Sequence, residues 1–307
     1  MIRPRWRKVL ADLWDNKMRT LLVVASIAVG VFSIGMIAGT YVIISHDMGA
    51  SYASASPANI DLMTDAFDQD FVATIERLEG VQEAEGRRIF SVRSRLSGGE
   101  WTRLDLVALD DFELIQINKL FLQAGSPVPE ERQLLLERSA LEDLPVQVGE
   151  SLEIQLPSGV GKTLPVAGIV LDQATGAGDF LAPPFAYVSF DDLEWLGQPA
   201  AYNHLYANIS GDGNDKDLIR QVSVQVSDRV EKSGRQVYRT MLHETNKHPM
   251  ASTVQAILGI LFALGILIVM LSSSLIANTL TALLTQQTPQ IGMMKLVGAR
   301  SSQILSM

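Results

Sequence analysis

"TLLVVASIAVGVFSIGMIAGTYVIIS", residues 20–45, contains no side chain that is charged at neutral pH. "STVQAILGILFALGILIVMLSSSLIA", residues 252–277, lies inside a second uncharged run that extends from 249 to 294. The hydrocarbon core of a bilayer is crossed by about 20 apolar residues in a helix. Both stretches exceed that length, and together they raise the apolar share of the chain to 47%. The first follows a basic start and is trailed by "ASA" at 53–55, so it imitates a secretory signal. Its apolar core is too long, since a signal peptide uses about 7 to 15 residues. The length and purity of the second exclude an ordinary buried helix.

Charge orients the two spans. Residues 1–19 carry a net charge of +4, residues 46–250 a net of −15, and the residues after the second span a net of +2. Lys and Arg near span ends stay cytoplasmic. Both ends of the chain are therefore expected inside, with residues 46–250 outside. So acidic an external segment is a poor partner for nucleic acid. The absence of cysteine excludes a disulfide framework.

The residues before the first span have their own pattern. Trp6, Leu10, Leu13 and Trp14 recur at helical spacing, with Arg5, Lys8, Asp12 and Lys17 off that stripe. This predicts an amphipathic helix over 1–19, lying in the membrane interface and contacting lipid. The external segment alternates strands and helices. "ANIDLMT" reads as a strand, and "DQDFVATIERLEG" as a helix capped by Asp68 and ended by Gly80. Residues 84–110 read as a hairpin turning at Gly98-Gly99. Late in the segment, "NHLYANIS", "NDKDLIRQVSVQVSDRVEKSG" and "RQVYRT" form a second strand–helix–strand unit. One α/β lobe, porter-like and of ferredoxin-like βαβ type, is thus expected from both ends of the insert. A β-rich lobe at about 110–200 is expected inside it. There "ERQLLLERSALED" suggests a helix, and "FAYVSFDDLEWLG" a strand running into a helix capped near Asp191 or Asp192.

Candidate chemistry is sparse. "LPSGVGKTLPV", 156–166, ends like a phosphate-binding loop, but Leu156 occupies the position of the first required glycine. Strand-like segments flank it on both sides, so it is expected to be a surface hairpin, with Lys162 in solvent and Pro165 near a strand edge. "HETNKH" places His243 and His248 five apart, where a zinc protease helix needs four. "DGNDKD", 212–217, lacks the calcium-loop residues at 216 and 217 and suits a turn with a helix cap. The pairs Asp110-Asp111 and Asp191-Asp192 send neighbouring carboxylates to different sides, which is poor acid/base geometry. No catalytic, cofactor or metal residue is assigned.

The informative stretch is "NTLTALLTQQTPQIGMMKLVGARSSQI", 278–304. Asn278, Ile291-Gly292, Lys295-Leu296-Val297-Gly298-Ala299 and Gln303-Ile304 resemble the region after the second span of FtsX/MacB-type ABC transporter permeases. Gln290 stands where that family usually has Glu, and Gln286-Gln287-Thr288-Pro289 replaces its usual charged run; Pro289 is expected to break the helix. "VQVGESLEIQL" followed by "LPVAGIVLD" is similar to a rhythm in the family's external core domain.

The resemblance implies a multi-pass protein of the bacterial inner membrane. Its order would be an interfacial helix (1–19), span one (20–45), external core domain (46–250), span two with its extension (251–285), and the start of a cytoplasmic coupling region (286–307). It implies at least two more spans after residue 307, a dimer of permease halves, and a separate cytoplasmic ABC ATPase. The ATPase contact would fall on Ile291, Gly292, Met293, Met294, Lys295, Leu296, Val297, Gly298, Ala299, Arg300 and Ile304. The alternative is a membrane-anchored sensor whose external domain binds a ligand. The charge asymmetry generates a direct test. A reporter active only outside the cytoplasm should be active when fused after Gly159 and silent when fused after Met307; the reverse pattern would overturn the orientation.

Overall fold

The computed structural model describes residues 14, 17–175 and 183–298. The chain divides into two compact units, one of residues 46–251 and one of the chain before and after them. The second unit holds most of the helices α1 (Lys17–Ser54) and α4 (Ala251–Leu296), the last turns of α1 from His46 and Ala251 itself falling in the first. Leu21–Ser54 and Ala251–Ala282 are each long and apolar enough to cross a membrane. Side chains such as Leu22, Phe32, Ile260 and Met270 are exposed. The two helices approach each other at glycines: a Cβ on Gly265 would lie 3.0 Å from Ile37, and one on Gly30 3.7 Å from Val269.

Residues 46–251 form a mixed α+β domain. Its first sheet has β1 (Ile60–Phe67), β9 (Tyr202–Ile209), β10 (Val237–Leu242) and the first half of β2 (Val81–Leu96). The order is β10-β1-β9-β2, every neighbouring pair antiparallel. With α2 (Gln69–Glu76) after β1 and α3 (Lys216–Lys232) after β9, this is the ferredoxin-like arrangement. Both helices start as the sequence suggests. Asp68 accepts from the Phe71 N–H, and Asp215 accepts from the N–H groups of Asp217 and Leu218. Phe71, Val72 and Ile75 on α2, with Ile219, Val222, Val226 and Val230 on α3, bury one face of the sheet.

The second sheet closes on itself. β2 pairs with β3 (Thr102–Leu109), β3 with β8 (Phe185–Ser189), and β8 with β5 (Leu134–Glu137). From there β5 pairs with β7 (Gly161–Asp172), β7 with β6 (Ser151–Gln155), and β6 again with β2. The ring encloses Leu104, Leu106, Leu134, Leu136, Ile154, Leu164 and Val188. A further strand, β4 (Leu120–Gly125), is added alongside β7. The distal half of β2 and β3 therefore belong to this β-rich part, together with strands from 120 to 189.

Several local expectations fail for identifiable reasons. "ERQLLLERSALED" is the strand β5 followed by a 3₁₀ turn (Arg138–Glu142), where a helix is expected. Leu134 and Leu136 face the ring interior while Leu135 enters a second cluster on its outside. A strand buried on both faces carries an unbroken apolar run, which imitates a helix segment. After β8 the chain makes a short 3₁₀ turn (Phe190–Asp192) whose cap is the Ser189 hydroxyl; Asp192 instead accepts from the Arg132 N–H at 3.0 and 3.1 Å. Pro289 lies inside α4 without ending it. The hydroxyls of Thr281, Thr285 and Thr288 bond back to carbonyls four residues earlier, so a lost donor falls in a stretch already rich in side-chain to backbone bonds.

The 156–166 segment is a hairpin between β6 and β7, as expected. Lys162, however, is half-buried, its Nζ 4.4 Å from the centre of the Trp195 ring. Stacking on the aromatic face holds its alkyl stem out of solvent. Pro165 sits where β7 pairs on one side with β6, before β5 joins from Val166 onward.

Gly86 generates a stability prediction. A Cβ there would lie 2.5 Å from the Tyr202 ring. That ring packs between Phe67 and Phe190, and burial pushes its hydroxyl pKa up to about 12. Gly86→Ala should cost about 2 kcal/mol by overpacking, read as a lower thermal midpoint, and Tyr202→Leu in the same chain should recover part of the loss.

Candidate functional site

The residues singled out by the family resemblance lie at the end of α4. The helix passes the apolar limit at Ala282 and continues to Leu296. It then closes with Val297 N–H donating to the Met293 carbonyl and Gly298 N–H donating to the Lys295 carbonyl, both at 3.1 Å. Gly298 has φ +96°, the left-handed conformation that lets a helix end on glycine. Ile291, Gly292, Met293, Met294, Lys295 and Leu296 are thus on the last turns of one helix, with Val297 and Gly298 in its terminal turn. Ala299, Arg300 and Ile304 lie outside the described residues, as does the expected interfacial helix apart from Trp14 and the start of α1.

This end is apolar and, among the described residues, uncovered. Leu296 and Val297 are each 89% exposed, and Met293 is exposed as well. Nothing lies within 4 Å of a Cβ placed on Gly292 or Gly298. The arrangement presents a thioether and two branched side chains beside Lys295, a surface able to seat in an apolar groove with one cation at its rim. No group of three or more His, Asp or Glu side chains placed to hold a metal occurs among the described residues.

A second set of residues, which sequence reading missed, sits where the 46–251 domain receives and returns the chain. Asn59, at the start of β1, is buried. Its amide donates to the carbonyls of Gly213 and His243 and to the Thr245 hydroxyl, at 3.2, 3.1 and 3.0 Å. Its side-chain oxygen accepts from the Ile209 N–H, and its main-chain oxygen from the His243 N–H. One side chain therefore ties the segment after α1 to the segment before α4. A Cβ on Gly213 would collide with the Thr245 hydroxyl, so the knot requires glycine there. Beside it Tyr52 packs edge-on against His248, ring centres 5.1 Å apart, and burial lowers the pKa of both His243 and His248. "HETNKH" is thus part of a structural junction: Glu244 pairs with Lys216 and Lys247, both at 3.4 Å. No spacing rule marks Asn59, because its partners lie 150 and more residues away.

No family model matches the sequence, and no curated protein matches it. Among solved structures the chain is similar to the extracellular domain of the noncanonic ABC-type transporter YknZ from Gram-positive bacteria, with 13% identity over 58% of this chain and 100% of that one, at a TM-score of 0.41. It is also similar to the periplasmic region of MacB from Actinobacillus actinomycetemcomitans, with 12% identity over 67% of this chain and 95% of that one, at a TM-score of 0.40.

Proposed function

We propose that this chain is the first part of the permease subunit of an ABC transporter. A cytoplasmic ATPase would act on residues 291–304, and α4 and α1 would carry the displacement to the external domain, for export, lipoprotein handling or mechanotransmission. The chain itself would hydrolyse nothing, and its orientation would be that of the charge asymmetry, with both ends in the cytoplasm of a bacterial cell. The observation that carries the reading is the continuity of α4. It runs as one helix from Ala251, through its apolar span, to the exposed Met293 and Leu296. A helix transmits axial displacement because each turn is braced by its own backbone bonds. The resemblance of 278–304 to FtsX/MacB-type permeases and the bracketing of an acidic domain by two apolar helices point the same way.

The test is at Gly298, in membranes holding the whole permease and its ATPase. A β-branched residue is strained at φ +96°, by about 1 to 3 kcal/mol. Gly298→Val should therefore displace the end of α4 and lower both co-purification of the ATPase and its stimulation, while membrane insertion is unchanged. Lys295→Ala should be milder, since an exposed charge contributes less than about 1 kcal/mol. Loss of both readouts on Lys295→Ala, with none on Gly298→Val, would show an electrostatic contact and overturn the apolar account.

A further inference from the structure

α2 and α3 cover one face of the first sheet, and the opposite face is polar. Strand register sets it out as a grid. Asp61 on β1 stands between Met241 on β10 and Tyr206 on β9; Met63 stands between Arg239 and His204. Residues paired in this way point to the same face. All six line a cavity of about 500 Å³ that also takes in residues of β2 and β3, a size typical of small-molecule sites.

Charge is left unbalanced in this cavity. Asp61 Oδ1 is shut off from solvent and, among the described residues, accepts no hydrogen bond. The one basic atom within ion-pair distance, among the described residues, is His204 Nδ1 at 3.5 Å. His204 has a side chain only 8% exposed, and that nitrogen also has no hydrogen-bond partner. Burial lowers the pKa of His243, which lines the cavity too, against the pull of Asp61. Arg239 lies diagonally across the β1–β10 pair from Asp61, about 7 to 8 Å away between Cα atoms, and forms no ion pair among the described residues. The other cation of the cavity, Arg103, is satisfied: Asp105 lies 3.3 Å from it. A buried carboxylate whose one basic neighbour makes no hydrogen bond to it is costly unless something else supplies a donor.

We propose that this cavity binds a small zwitterion, with its ammonium group on Asp61 and its carboxylate on Arg239. The planar guanidinium can grip a carboxylate through two parallel hydrogen bonds. Met63 and Met241, at the other two corners of the β1–β10 square, offer thioethers to the carbon skeleton between the charges. A simple amine would leave Arg239 unpaired and face its repulsion; a simple carboxylate would leave Asp61 unpaired.

The test uses the full chain in lipid nanodiscs, with thermal unfolding and titration calorimetry. β-Alanine, γ-aminobutyrate and glycylglycine are compared with butylamine and butyrate. At least one zwitterion should raise the thermal midpoint saturably and bind at least about tenfold tighter than either singly charged control, since each control gives up one charge-assisted contact, worth a factor of about ten. Asp61→Asn should abolish that response, and by removing a buried charge at constant shape it should raise the midpoint of the unliganded protein. Arg239→Gln, at an exposed position, should abolish the response and leave the unliganded midpoint unchanged. A flat response to all three zwitterions, or butylamine binding as tightly as they do, overturns the proposal. So does Asp61→Asn lowering the unliganded midpoint, because Asp61 and His204 would then be a structural ion pair.

Discussion

The domain of residues 46–251 depends on one strand serving two sheets. β2 pairs with β9 as far as Arg87 and with β3 from Arg88 onward, so the ferredoxin-like sheet and the closed ring are joined along continuous backbone. At the change of partner sits Arg87, fully buried. Its guanidinium donates to Glu85 and to the carbonyls of Ile117 and Asn118, and stacks 5.0 Å from the centre of the Tyr206 ring. Glu85 in turn accepts from the N–H groups of Gln116 and Ile117. A buried cation is costly without partners, and a loop from the β-rich part supplies them at Nη2, while Nε and Nη1 make no hydrogen bond among the described residues. Asn118, at φ +51°, then returns a bond to the Ala58 N–H beside the start of β1. Strand, loop and chain entrance are fixed by one charge.

Two buried polar side chains thus do different work in the domain. Arg87 sets the junction of the sheets. Asn59 ties together the two places where the chain enters and leaves. Its bonds run to the loop before α3 and the segment after β10, so displacement of either segment is felt at β1. A domain that received force through its ends would need such a tie, because apolar packing alone lets neighbouring segments slide. The open face of the first sheet lies next to this tie, through His243. Occupancy of the cavity and strain at the junction would then share a residue.

Much of the local structure is legible from short-range rules. The caps at Asp68 and Asp215, the hairpin turn at Gly98-Gly99, and the failure of 156–166 as a phosphate loop all follow from residues a few positions apart. The errors share a cause. Leu134–Leu136 looks helical until its two buried faces are known, and Lys162 looks solvated until Trp195 is placed over it. Pro289 looks like a stop until the length of α4 on both sides of it is seen. Each is a case of distant context overriding a local preference.

The sequence by itself determined what local chemistry determines. Uncharged runs longer than a bilayer is thick, a strongly acidic segment between them, and helices announced by caps and periodicity need no partner to be read. Tertiary structure decided which strands close the ring, that β2 belongs to two sheets, and that Asp61, His204 and Arg239 share one face. These depend on pairing between distant residues, up to 80 positions apart in the ring and more than a hundred in the first sheet. Strand pairing is set by register and burial, and an isolated strand carries no record of its neighbour.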